Sequence, residues 1–349
     1  MKISLLGLAA TCLAVVSAQS NCFPYGTSFQ QVNGVVQTPT VTREQWWCGW
    51  DRYYGWLGYV RDLKGSTCSD PVYSLARLRE DFSIMARDGA VMVRIYGPIC
   101  EQTSVWNNII QAAAENNLGV LGIVWHGYNP QEESMWGARK DNLLKVLREN
   151  PLAKYVIHSV SFGSEPLFSW NISDTYVKEF IALKAALKAL GYPITVSEMK
   201  YGYDQAPKAT RDAVIAGIDF NSAHIMPYYG NCLNPADEWN SITSDIAAFK
   251  GLIPGKPMMI TQNPWGAGQD GRDRGSNCNG DIWKGVSTTG ANQYWNLWNT
   301  HCNYFKDQQI GWFAHTFSSD SEGNFGIYGY RSDAEHYPKR ITFERLRCA

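Results

Sequence analysis

Short apolar runs rich in β-branched residues recur along the chain, and segments of helical period follow them. The runs are WLGYV (56–60), VMVRIYG (91–97), LGVLGIVW (118–125), VIHSVSFGSE (156–165), ITVSEM (194–199), FNSAHIMPYY (220–229), PMMITQ (257–262) and GWFAHTF (311–317). The clearest helical segments lie at 70–89, 105–117, 138–150 and 174–191. Asp70-Pro71 and Asp174 are helix-start signals, and Gly191 followed by Pro193 is a stop signal. Eight strands alternating with helices predict a single (β/α)8 TIM barrel, an α/β fold. A doubly wound open sheet is the rival, but no GxGxxG turn follows the first strand. Several runs are apolar throughout, as strands buried on both faces should be.

The ends of the chain add a compartment. Residues 1–18 combine Lys2, an apolar run and the small-residue pattern Val16-Ser17-Ala18, which reads as a secretory signal peptide cut after Ala18. The run is too short to cross a bilayer, which takes ~20 residues. Of nine cysteines, Cys12 leaves with this segment; the other eight are an even set suited to disulfides in an oxidising compartment. No CxxC or HExxH is present, so no metal is expected, and no organic cofactor is implied. Asn171-Ile172-Ser173 is a glycosylation sequon. The expected organisation is a signal peptide (1–18), a Trp-rich N-terminal extension (19–55) and the barrel (56–349). Within the extension, TVTREQWWCGWDRYYGW (40–56) is expected to pack the barrel floor or flank its cleft, packing being favoured.

Net charge is −1 with 18% charged residues, which gives no electrostatic case for nucleic acid or an anionic membrane as partner. Aromatic residues make up 13% of the chain, including 14 Trp. Aromatic faces suit the C–H-rich faces of sugars, although large domains also bury such rings. Oligomeric state is not legible.

Chemistry in a TIM barrel sits at the C-terminal strand ends. Those ends offer Tyr96 (strand two), Trp125 and His126 (three), Ser164-Glu165 (four), Glu198 (five), Tyr228-Tyr229 (six), Gln262 (seven), and Asp320 with Glu322 (after eight). A carboxyl group among aromatics loses solvation and holds its proton longer, as a general acid requires. For Glu165 the competing role is a buried ion pair or a cap. For Glu198 it is a salt bridge to Lys200 or Arg94. His126 and His224 are bases on paper, but lone histidines more often serve structure. Each aromatic position is equally well read as packing.

VRIYGPIC (93–100), SFGSEPL (161–167) and MMITQNPWG (258–266) resemble the strand-two, strand-four and strand-seven motifs of family 17 glycoside hydrolases, the β-1,3-glucanases of fungi and plants. The resemblance in order and spacing spans about residues 56–330. It implies Glu165 as acid/base and places Gln262 where the family has a nucleophilic glutamate. It further implies sugar contacts from Tyr96, Trp125, Ser164 (where the family usually has Asn), Tyr228, Tyr229 and Trp265, and a disulfide joining Cys68 and Cys100. A carboxamide cannot form a glycosyl ester, yet it keeps hydrogen bonds to hydroxyls. The expectation is a secreted, cell-wall-associated, β-1,3-glucan-binding protein with impaired or absent retaining hydrolysis. The alternatives are an active glucanase or transglucosylase with Glu198 or Glu322 as a rerouted base, and a non-catalytic adhesion protein.

Overall fold

The computed structural model describes residues 21–65, 67–97, 100, 102–126, 135–168, 174–230, 234–267, 286–320, 325–329 and 331. A small hairpin, β1 (Gln31–Val32) and β2 (Val35–Val36), precedes the sheet. The eight predicted strands then appear in order: β3 (Gly55–Asp62), β4 (Met92–Tyr96), β5 (Gly119–Val124), β6 (Ile157–Ser164), β7 (Ile194–Met199), β8 (Asn221–His224), β9 (Met258–Gln262) and β10 (Ile310–Ala314). Each pairs in parallel with its neighbours, and β10 closes onto β3, making a (β/α)8 barrel. The predicted run of β8 continued to Tyr229. The strand stops at His224, and a 3-10 turn at Pro227–Tyr229 follows, where Pro227 has no N–H for a ladder.

The four predicted helices form at Leu75–Arg87, Thr103–Glu115, Trp136–Glu149 and Asp174–Ala189. Asp70 caps a separate 3-10 turn, Pro71–Tyr73, by accepting from the Val72 N–H. Helices at Lys200–Gln205, Lys208–Gly217, Trp239–Leu252 and Thr288–Thr300 lacked start and stop signals clear enough to predict. Among the described residues, no helix is long and apolar enough to cross a membrane. Cys22–Cys48 and the expected Cys68–Cys100 are disulfides, and Cys302 is also disulfide-bonded. The proposed signal peptide lies outside them too.

The Trp-rich segment covers the N-terminal mouth of the barrel. Trp47 and Trp50 both set an edge against His158, at the start of β6, with ring centroids 4.9 Å away. Trp50 also packs on Phe220, just before β8, and Trp46 stacks on Phe23 at 5.0 Å. Gly119 opens β5 where a side chain would meet the Trp47 ring. Arg43 fastens this layer: it donates to the carbonyls of Gly191, Lys154, Ile157 and His158. Burial pushes its pKa down to about 10, and that of His158 to about 3.

The interior beneath the opposite mouth is polar. Ser161 (β6), Ser197 (β7), Ser222 (β8) and Thr261 (β9) form a chain of hydroxyls at 3.0, 2.7 and 2.8 Å. Ser161 donates to the Gly163 carbonyl, so each preceding contact must be donated from the next strand round. All these hydroxyl bonds therefore point from β9 toward β6, an order in which each one polarises the next.

Candidate active site

The hydroxyl chain ends at an irregular stretch of backbone. Gly163 has φ +86° and Glu165 φ +56°, and the β6–β7 register shifts between Ser161 and Ser164. The left-handed region costs a non-glycine residue about 1–3 kcal/mol and is retained where surrounding contacts enforce it. Here the Glu165 N–H donates to the Ser197 carbonyl at 2.7 Å. The kink turns the Glu165 side chain out of the core and into a cleft at the C-terminal mouth.

That cleft encloses about 800 Å³. Its floor carries Glu165, His224 and Gln262, from the ends of β6, β8 and β9. Phe168, Tyr201 and Tyr229 are its exposed aromatics, and Lys200, Asp204 and Asp245 its charged wall. Lys200 donates to both oxygens of Asp204, four residues on along one short helix, at 2.7 and 2.6 Å. Burial pushes the Asp245 carboxyl up from its ordinary value, against the pull of Lys200.

His224 ties the floor together. Its Nδ1 lies 2.7 Å from Glu165 Oε1, and its Nε2 lies 3.5 Å from the Arg94 guanidinium. Arginine only donates, so Nε2 accepts and the Nδ1–H donates to Glu165. Burial, opposed by the Glu165 carboxyl and reinforced by the Arg94 charge and His315, pushes the His224 pKa down to about 4. The ring is neutral at neutral pH, which agrees with the tautomer that Arg94 selects. Arg94 itself spans the interior from β4 to the Thr261 carbonyl at 2.9 Å and Ser164 Oγ at 3.3 Å.

Glu198 ends β7 just as Glu165 ends β6, but its surroundings differ. It is fully buried and accepts from the backbone N–H groups of Leu167, Phe168 and Met199 at 2.6, 3.3 and 2.8 Å. The helix Lys200–Gln205 lies over it, with Gly202 so close that a Cβ there would fall 2.3 Å from Glu198 Oε1. Desolvation, then the nearby Glu165 charge, pushes the Glu198 carboxyl well above the usual range, with the three amides opposing. Its oxygens secure the turn that follows Glu165, and it is absent from the cleft lining.

Gln262 is 7% exposed, and its Oε1 has no hydrogen-bond partner. The main chain of Gln262 pairs with β8, its carbonyl accepting from the Ile225 N–H.

Of the expected sugar contacts, Tyr229 reaches the cleft. Tyr96, Trp125, Ser164, Tyr228 and Trp265 are buried and are not among the described residues that line it. Trp265 is stacked on Tyr294 at 4.5 Å with Tyr228 against it, and Tyr96 packs between Trp125 and His315. Glu322 and Asn171 lie outside the described residues. Sequence reasoning passed over Lys200, Tyr201 and Asp204, although a KYGYD stretch directly after a barrel strand was a usable signal. Nothing in the sequence marked Asp245, which reaches the cleft from the helix Trp239–Leu252.

A closed parallel barrel that presents a carboxyl group to an aromatic-lined cleft at its C-terminal mouth places the chain in the class of TIM-barrel glycoside hydrolase-type proteins. Residues 62–326 match the model of the BtgE/BtgC glycoside hydrolase domain. The chain belongs to that family. Among solved structures, it is similar to a glycoside hydrolase family 17 β-1,3-glucanosyltransferase from Rhizomucor miehei: 17% identity, TM-score 0.58, covering 82% of this chain and 97% of that one. It is also similar to a family 2 β-galacturonidase from Eisenbergiella tayi (12%, TM-score 0.53, 82% and 49%) and a β-glucuronidase from Bacteroides uniformis (15%, TM-score 0.54, 82% and 34%). At these identities the likeness is one of fold, and the chain spans half or less of the latter two enzymes. The comparison with curated protein sequences found no match.

Proposed function

We propose that the cleft binds a β-1,3-linked glucan and that retaining hydrolysis of that glucan is crippled at Gln262. The protein then works as an exported, cell-wall-associated, glycosidase-like binder of family 17 type. The observation that carries this reading is the chemistry on the cleft floor: Glu165 shares the cleft with an amide. Ordinary retaining hydrolysis needs two carboxyl groups about 5–5.5 Å apart, one of them an anion that bonds to the anomeric carbon. Gln262 supplies no anion. It keeps a hydrogen-bonding group there, so ground-state binding survives where transition-state stabilisation does not. The three motifs shared with family 17 and the fold shared with the Rhizomucor miehei glucanosyltransferase support glucan as the ligand. The disulfides agree with an oxidising compartment. The backbone amides that hold Glu198 weigh against its service as a rerouted base.

The test is retention on insoluble β-1,3-glucan together with a reducing-end assay on laminarin. The expected result is retention without release of reducing ends, and a gain of at least about 100-fold in hydrolysis for Gln262→Glu. Fast laminarin hydrolysis by the unaltered protein that Glu165→Gln abolishes would refute the crippled-hydrolysis reading. A protein washed off every β-glucan would refute glucan binding.

A further inference from the structure

Three aromatic side chains are exposed among the described residues: Phe168 at 45%, Tyr201 at 54% and Tyr229 at 38%. All three line the cleft that holds Glu165, and every other described aromatic residue is buried or half-buried. Rings left in water forgo the gain from burial, so their convergence on one cleft marks a surface kept open for a ligand. Phe168 follows β6 and Tyr201 follows β7, and their centroids are 5.7 Å apart with the ring planes at 62°. The pair is therefore an angled step rather than a flat platform. One buried carboxyl group sets that angle through the backbone. Glu198 Oε2 accepts from the Leu167 and Phe168 N–H groups at 2.6 and 3.3 Å. The helix Lys200–Gln205, which carries Tyr201, rests on the same carboxyl group at Gly202. Rings held in this way are preorganised before a ligand arrives.

Straight and bent glycans differ at such a step. In a β-1,4-linked glucan each unit is turned over relative to the last, and the ring planes stay nearly parallel along a flat ribbon. A β-1,3-linked glucan winds into an open helix, so the planes of its units tilt along the chain. A ribbon lies against one face of the step and misses the other, whereas a winding chain covers both. Resting on the glucan reading above, we infer that Phe168 and Tyr201 read the linkage: each stacks on a different unit of one winding chain, and the angle between them selects β-1,3- over β-1,4-linked glucan. Tyr229, after β8, adds a third ring to the same cleft, and Asp245 on its wall offers an acceptor for sugar hydroxyls. A single sugar covers only one face. Affinity therefore climbs with chain length until both rings are covered, because the second contact is made within the complex already formed by the first.

The decisive experiment measures binding of laminarihexaose and cellohexaose to the purified full chain by calorimetry, with retention on insoluble β-1,3-glucan on the same batch. The expected result is a clear preference for laminarihexaose. Phe168→Ala and Tyr201→Ala each weaken laminarihexaose by about 10-fold. The double variant washes off the insoluble glucan, and its preference over cellohexaose narrows by at least about 10-fold. Phe168→Tyr keeps a ring in place and keeps the preference. Ile181→Ala, which trims an exposed apolar residue of the helix Asp174–Ala189 away from the cleft lining, changes neither binding nor preference. Both rings are exposed, so the denaturation midpoints of their variants stay with that of the unaltered protein and the losses report on binding. Alanine variants that bind laminarihexaose as tightly as the unaltered protein overturn the inference and leave the glucan reading standing. A loss of equal size for the two linkages does the same. An unaltered protein that prefers cellohexaose, or that binds neither sugar, overturns the inference together with the β-1,3-glucan assignment.

Discussion

By strand-end position alone Glu165 and Glu198 look alike: each is a glutamate at the end of an apolar strand. What separates them is one dihedral angle and what lies above. At φ +56° the Glu165 side chain leaves the core, whereas Glu198 stays under Gly202 and is bound by backbone amides. Strand-end position therefore made Glu165, Gln262 and Tyr229 legible as cleft residues. It did not disclose that Tyr96, Trp125, Ser164, Tyr228 and Trp265 are buried, because depth is set by turn geometry and by neighbours far away in the chain. His224 was legible only as a lone histidine, since its partners come from β4 and β6. Its titration gives a prediction. Its folded pKa of about 4 lies below the ordinary 6.5, so between those values the unfolded chain binds more protons. Its contribution is complete above pH 6.5 and is lost as pH falls through 4, at most about 3 kcal/mol. His158 acts in the same sense, whereas Glu198, with its raised pKa, favours the fold at low pH and loses that effect as pH rises. The clean measurement is a difference: urea unfolding of the protein and of His224→Gln between pH 4 and 7. The difference in slope with pH should match about one proton across that window, and parallel curves would reject the assignment.

At the level of elements, the strand periods were read correctly because all eight barrel strands are buried on both faces and their apolar runs are unbroken by the helices outside. The runs did not disclose that four consecutive strands place hydroxyls in one layer. SVS, TVS, NSA and MIT each look like ordinary strand sequence, and only closure of the barrel brings Ser161, Ser197, Ser222 and Thr261 within hydrogen-bond reach. Because Ser161 fixes the direction of the chain, Ser222 is both donor to Ser197 and acceptor from Thr261. Ser222→Ala should cost about 1–3 kcal/mol, since both neighbours lose a partner in a dry layer. A denaturation midpoint unchanged by this substitution would show that the chain contributes nothing. Ser222→Thr keeps the hydroxyl and separates lost bonding from altered packing.

At the scale of the whole molecule, a segment outside the barrel's repeating pattern closes its lower end. The aromatic residues of 40–56 announced a packing layer, and the structure puts them under β5, β6 and β8. The role of Arg43 was not legible, because its acceptors are backbone carbonyls 111 to 148 residues away. Arg43→Ala removes donors from four carbonyls, those of Ile157 and His158 half-buried, and should destabilise by roughly 1–3 kcal/mol, the range for acceptors that lose a charged donor. Arg43→Lys should recover only part, because one ammonium cannot match a guanidinium fork. Equal midpoints for the three proteins in guanidinium would contradict the clasp.

Gly202 links these scales. The short helix it belongs to rests on Glu198 with its backbone and lends Lys200, Tyr201 and Asp204 to the rim. A single methyl group at that position would act as a wedge, prising the lip away from the carboxylate beneath. The grip on a ligand and the seating of an inner acid are thus geared to one another through the thickness of one missing carbon.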